Sequence, residues 1–130
     1  NNTNHILPDN TVCVVVEFAN LSQINAAFGR ERGNEMMRKF AAFLKEAAAT
    51  CGTVYYNGGQ QFIGFFEQCS REDAESFADY FHRLVHSYNE ENDEDQFEYT
   101  LGLAESRTNN AHSIRILLRE ALRSKIKQEG

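Results

Sequence analysis

Tyr55-Tyr56-Asn57-Gly58-Gly59-Gln60-Gln61-Phe62-Ile63-Gly64-Phe65-Phe66 is the stretch that decides the fold. Apolar residues lead up to Asn-Gly-Gly and apolar residues lead away from it. Asn-Gly between two β-rich runs signals a hairpin, because such tight turns need φ > 0 at their central residues. A tip of two glycines lets a ligand or another backbone approach closely. Gln60 and Gln61 would stand beside whatever sits there.

Working outward, Thr11-Val12-Cys13-Val14-Val15-Val16-Glu17-Phe18 is a nearly continuous β-branched run. A strand apolar on both faces is a central one, in a sheet covered by helices. Glu17 falls at its C-terminal end, at the sheet edge where ligands collect in open α/β sheets. A carboxylate there can hold a metal or point to solvent. Asn20 or Ser22 can cap a short helix bearing Leu21, Ile24, Ala27 and Phe28, which Gly29 ends. A longer helix is expected from about Asn34, its N-cap, to Ala49, with Met37, Phe40, Ala41, Leu44, Ala47 and Ala48 as its apolar stripe.

After the hairpin, Ser70 and Asp73 form an acidic variant of the capping box. The stripe Ala74, Phe77, Ala78, Phe81, Leu84, Val85 and Tyr88 has helical period. His82 and His86 lie four apart on the opposite face, a spacing that suits either a shared metal or simple solvation. Glu90 to Asp95 is acidic but lacks the alternating ligands and central glycine of a calcium loop, so it reads as a solvated loop. Phe97 to Ala104 is a further strand, with Gly102 inside it. A final helix is expected from Asn110 or His112 onward, with Arg119, Arg123, Lys125 and Lys127 in its C-terminal half, where the helix dipole favours positive charge.

The order is therefore β-αα-ββ-α-β-α. It points to an α/β (α+β) fold: a ferredoxin-like or nucleotide cyclase palm-type central sheet with surrounding helices. Residues 1–10, polar and holding the only proline, read as a linker, and 11–130 as a single domain. The start at Asn1 suggests a fragment of a larger protein.

Composition narrows the function. Of the 130 residues, 42% are hydrophobic and 25% charged, ordinary values for a globular domain. The net charge of −6 leaves no basic stripe for nucleic acid. No apolar run reaches the ~20 residues of a membrane span and no signal peptide is visible. Cys13, Cys51 and Cys69 are scattered and odd in number, which favours reduced thiols in a cytoplasmic setting.

Three segments together resemble the GGDEF domain of diguanylate cyclases. They are Glu17 to Asn34, with Ile24-Asn25 and Phe28-Gly29 inside it; Gly58-Gly59-Gln60-Gln61-Phe62; and Thr100-Leu101-Gly102-Leu103-Ala104. The resemblance runs from about Val12 to Ala121. It implies a domain whose active relatives join two GTP molecules into cyclic di-GMP, using two divalent ions held by carboxylates at the end of the first strand and on the hairpin. It also implies that Asn25 and Asn34 stand where the family reads the guanine edge.

Carried over by position, the site departs from the pattern. Glu17 replaces the metal-binding Asp, and Gln60 and Gln61 replace both hairpin carboxylates. An amide oxygen is a weak Mg²⁺ ligand, and an amide is no base near neutral pH. Asn34 replaces an Asp, Leu122 replaces another in the last helix, and the Arg-x-x-Asp of the inhibitory product site is absent from Ala49 to Gly52.

The resemblance thus implies a catalytically inactive regulatory or dimerisation module of a bacterial cyclic-dinucleotide signalling protein. Its partners would be neighbouring domains or a second copy. The alternative is a GTP or other purine sensor that controls an attached phosphodiesterase. It would hold the nucleotide through Asn25, Asn34, Gly58 and Gly59, with Mg²⁺ accompanying GTP on Glu17. A weak hydrolase would need at least one metal on Glu17, and an active cyclase would need two.

Overall fold

The computed structural model describes residues 11–105 and 126–129. Among the described residues, five strands form one sheet in the order β2-β3-β1-β4-β5, and every neighbouring pair is antiparallel. The strands are β1 (Val12–Phe18), β2 (Val54–Tyr56), β3 (Gln61–Phe66), β4 (Glu98–Glu105) and β5 (Ile126–Glu129). The helices are α1 (Leu21–Phe28), α2 (Arg30–Ala47) and α3 (Arg71–Glu91). The first four strands carry the ferredoxin-like, palm-type arrangement that the sequence implies.

β1 is the central strand, and both of its faces are buried. Val12, Val14, Val16 and Phe18 face the helices, while Cys13 and Val15, on the other face, are also inaccessible. The helix-side core is aromatic. The Phe40 ring of α2 stacks on Phe18 with centroids 5.1 Å apart and meets Phe81 edge-on at 5.2 Å. Phe62, Phe97 and Tyr99 complete its surroundings. α3 buries Ala74, Phe77, Phe81 and Val85 against this cluster, along the stripe read from its period. Its N-terminus carries the expected capping box: the Asp73 amide donates to Ser70 Oγ, and the Ser70 amide to Asp73 Oδ2.

Three expectations need correction. The long helix starts at Arg30, not at Asn34, with Gly29 as its N-cap. Gly29, at φ 97°, alone separates α1 from α2. Gly33 looks like a helix breaker in the sequence, yet it sits within α2, where a Cβ would lie 1.8 Å from Asn25 Oδ1 and 3.3 Å from Leu21 Cδ1. Glycine is there so that the two helices can pack closely. The C-terminus is the second correction: Ile126–Glu129 pairs with β4, so Lys127 belongs to a strand. The body of the expected final helix, with Arg119, Leu122, Arg123 and Lys125, lies outside the described residues.

The acidic loop is the third. Glu90 and Glu91 end α3. Asp95 is buried and accepts a 2.6 Å bond from Arg32 Nη1. Beside it, burial and then the Asp95 charge push the pKa of the Tyr88 phenol up. A run read as solvated therefore supplies one anchored carboxylate, which fastens this loop to α2.

Asn89 is a second anchor. It is buried on α3, donates to the Phe97 carbonyl at 3.0 Å and accepts from the Phe97 amide at 2.8 Å. It thus satisfies both backbone groups at the approach to β4. Asn89→Ala leaves a buried donor and acceptor unpaired and is expected to cost about 2 kcal/mol. Urea denaturation measures this, and a loss below half that value would show that water replaces the side chain.

Candidate functional site

The site is built at the C-terminal end of β1. Alternation along that strand sends Val16 and Phe18 into the core and leaves Glu17 on the opposite face, partly buried. There it is in register with Gln61 of β3 and Thr100 of β4. The Glu17 carboxylate therefore stands between its two neighbours in a row across the sheet.

The hairpin closes tightly. The Asn57 amide donates to the Gln61 carbonyl at 2.8 Å, and the Gln61 amide to the Gly58 carbonyl at 3.1 Å. Gly58 and Gly59 have φ of 94° and 58°, a left-handed region that residues with a Cβ enter at a cost. Nothing lies within 4 Å of where a Cβ would sit at either position, so the tip backbone is open to approach. Side chains stiffen the turn. Tyr56 donates its hydroxyl to the Gly59 carbonyl at 2.8 Å, and Asn57 Nδ2 donates to Gln61 Oε1 at 2.9 Å.

Gln60 ties this turn to β1 in both directions. Its carbonyl accepts from the Phe18 amide at 2.9 Å, and its side-chain Nε2 donates to the Phe18 carbonyl at 2.5 Å. A carboxylate is acceptor-only when ionised and cannot make the second bond. With an acid at position 60, two oxygens would face each other and need a proton or a cation between them. The amide N–H fills that role here.

The nucleoside-reading candidates lie on the α1–α2 corner, which follows directly from β1. Asn20 begins it. Its side chain donates to the Gln96 carbonyl at 2.8 Å and accepts from the Glu98 amide at 3.0 Å, so it clamps the chain entering β4 rather than capping α1. Asn25 packs against Gly33, and its Oδ1 is buried without a hydrogen-bond partner. Buried polar atoms are paired in the great majority of cases, so this orphan marks a strained or ligand-facing group. Asn34, next to Gly33, is exposed on α2. The structure thus gathers Glu17, Gln60 and Gln61 at the end of β1, and places Asn25 and Asn34 on the two helices of the α1–α2 corner, with Asn25 packed on Gly33 and Asn34 exposed.

The residues present do not fit a pair of divalent ions. Among the described residues, no group of three or more His, Cys, Asp or Glu side chains is arranged to hold a metal. Gln60 is engaged with Phe18, and the Gln61 oxygen with Asn57. His82 and His86 stack with centroids 6.0 Å apart; His82 Nδ1 meets the Tyr99 hydroxyl at 3.3 Å and His86 Nε2 lies 3.1 Å from Glu90.

Sequence reasoning marked Gln60 and Gln61 as lost acids and missed what Gln60 gains. The signal was there in principle: an amide can donate, and the hairpin lies beside the end of β1. The sequence offers Asn20 or Ser22 as the cap of α1 because their positions suit one, while the side-chain partners of Asn20 are 76 and 78 residues away.

Comparison with known proteins agrees with this architecture. A "GGEEF" domain of a Vibrio cholerae diguanylate cyclase, described as active, superposes with a TM-score of 0.77 at 20% identity, covering 88% of this chain and 73% of that one. An EAL/GGDEF domain protein from M. capsulatus superposes at 0.74 and 18% identity, over 93% and 79% of the two chains. A diguanylate cyclase/phosphodiesterase from Caldicellulosiruptor saccharolyticus gives 0.66 at 16% identity, over 88% and 69%. A search of curated proteins returned no match. The sequence profile described as "Diguanylate cyclase, GGDEF domain" matches residues 3–128. With a palm-type sheet, a glycine hairpin beside the end of β1 and a profile match over nearly its whole length, the chain belongs to the GGDEF family of diguanylate cyclase domains.

Proposed function

We propose that this GGDEF domain has lost cyclase chemistry and serves as a regulatory or dimerisation module beside other domains of a cytoplasmic cyclic-dinucleotide signalling protein. The observation that carries this reading is the Gln60–Phe18 contact. The Gln60 amide N–H donates directly to the Phe18 carbonyl at the end of β1, where an acid would need a cation between its oxygen and that carbonyl. Metal-assisted phosphoryl chemistry needs concentrated negative charge to hold its ions, and this arrangement supplies only the Glu17 carboxylate beside neutral amides. The test is direct. Purified protein incubated with GTP and Mg²⁺ or Mn²⁺ is expected to form no cyclic di-GMP by chromatography, and its formation overturns the reading.

A second reading is favoured by one feature, the unpaired Asn25 Oδ1 beside Gly33. The α1–α2 corner and the open Gly58–Gly59 backbone would bind a purine nucleotide as a signal, without turnover. One structural relative is described as a diguanylate cyclase/phosphodiesterase, which supports an attached phosphodiesterase as the regulated partner. Calorimetry with GTP and ATP, with and without Mg²⁺, separates the readings. Saturable binding that does not require Mg²⁺ supports the sensor. No heat at high nucleotide concentration removes the sensor and a weak hydrolase together.

A further inference from the structure

Two of the three cysteines flank the hairpin. Cys51 precedes β2 by three residues and Cys69 follows β3 by three, so the antiparallel pairing of Val54 with Gly64 brings their segments back together. Gly52 allows the approach: a Cβ there would lie 2.9 Å from Phe66 Cδ1, so the segment after α2 rests directly on the end of β3. The Cys51 thiol is close enough to help raise the Cys69 pKa. Each also meets a carbonyl at the start of α3: Cys51 Sγ is 3.8 Å from the Asp73 oxygen and Cys69 Sγ 3.5 Å from the Ser70 oxygen. Both line an open cavity of about 500 Å³ with Gln68, Asp73 and Tyr80. Cys51 is partly exposed and Cys69 is buried behind it.

We propose that Cys51 and Cys69 form a dithiol modification site at the base of the hairpin, convertible to an intramolecular disulfide by small-molecule disulfides. The Cys51 thiolate attacks one sulfur of the reagent, expelling one thiolate and forming a mixed disulfide. The Cys69 thiol then loses its proton and attacks the Cys51 sulfur, expelling the second thiolate. Two protein thiols are oxidised and one reagent disulfide is reduced, and the two expelled thiolates take up the two protons the protein thiols lose and leave as thiols. Burial, followed by the neighbouring Cys51 and Asp73, pushes the Cys69 thiol up to about 12, so the second step is the slow one and quickens as pH rises. The bond would close a loop containing all of β2 and β3 and staple the turn that carries Gln60.

The test is incubation of the folded protein with oxidised glutathione at pH 8, followed by intact-mass and peptide analysis. The expected product is lighter than the reduced protein by about 2 Da, with the Cys51 and Cys69 peptides joined. Cys51→Ser and Cys69→Ser each abolish that product, whereas Cys13→Ser leaves it intact, since Cys13 is fully buried in β1. Thermal melting of the oxidised protein is expected to rise by about 5 °C or more over the reduced form. Glutathione adducts on Cys51 that never resolve, or a linkage involving Cys13, would overturn the proposal. So would an oxidised form that melts below the reduced one.

Discussion

Phe40→Ala is expected to lower folding stability by about 3–5 kcal/mol, the usual range for truncating a buried Phe to Ala. A domain of this size has roughly 5–15 kcal/mol in total, so the variant sits near its unfolding threshold at body temperature. The reason is local. Phe40 has no exposed surface and touches rings from β1, β3, α3, β4 and the segment before β4. It is where the two long helices and the three central strands converge. Removing it forfeits transfer energy and leaves a cavity that five aromatic neighbours cannot easily fill, because each is held by its own backbone. Phe40→Leu keeps most of the volume and is expected to cost less than half as much. Urea titrations should show a lower midpoint with an unchanged slope. A loss below about 1.5 kcal/mol for the Ala variant would mean that the cluster relaxes around the gap.

The parts of this fold that were legible in the sequence are those set by local period and punctuation. The β-branched run of β1, the Asn-Gly-Gly turn, the Phe77–Phe81–Val85 stripe and the Ser70–Asp73 cap depend on residues a few positions apart. The misreadings all depend on distant partners. The sequence sets the start of the long helix at Asn34, one residue after Gly33, because the reason for that glycine is Asn25 on another helix. The acidic run reads as solvated because Arg32, the partner of Asp95, is 63 residues away. β5 was hidden because Arg119, Arg123 and Lys127 recur at helical spacing, and only pairing with β4 reveals Ile126–Glu129 as a strand. The site divides in the same way. Which acids are missing can be read position by position. What Gln60 does instead requires the Phe18 carbonyl, brought beside it by the β1–β3 register.

Restoring acids at the hairpin should therefore expose what the amides replaced. In the double variant Gln60→Asp with Gln61→Glu, residue 61 becomes a carboxylate in register with Glu17, and residue 60 loses its donor to Phe18. Like charges directly opposite in a sheet repel, so the variant is expected to melt below the parent at neutral pH in the absence of divalent ions. A carboxyl whose protonated form donates to a carbonyl and whose ionised form is repelled has its pKa raised on folding. The deficit is then small in acid and grows as pH rises through that value. A divalent cation should relieve it. Two unit charges 4 Å apart gain about 1 kcal/mol in water, so a doubly charged ion facing two new carboxylates gains about 4 kcal/mol before losses to dehydration. An increase in Mg²⁺ affinity of roughly a hundredfold is a conservative reading of that gain. It appears as a Mg²⁺-dependent rise in melting temperature that the parent lacks. Full cyclase activity is not expected to return, because Asn34 and Leu122 still differ from the family's pattern. An equal Mg²⁺ response in the parent would show that Gln60 had not displaced a cation. Full cyclic di-GMP synthesis by the double variant would show that the two amides alone silence the domain.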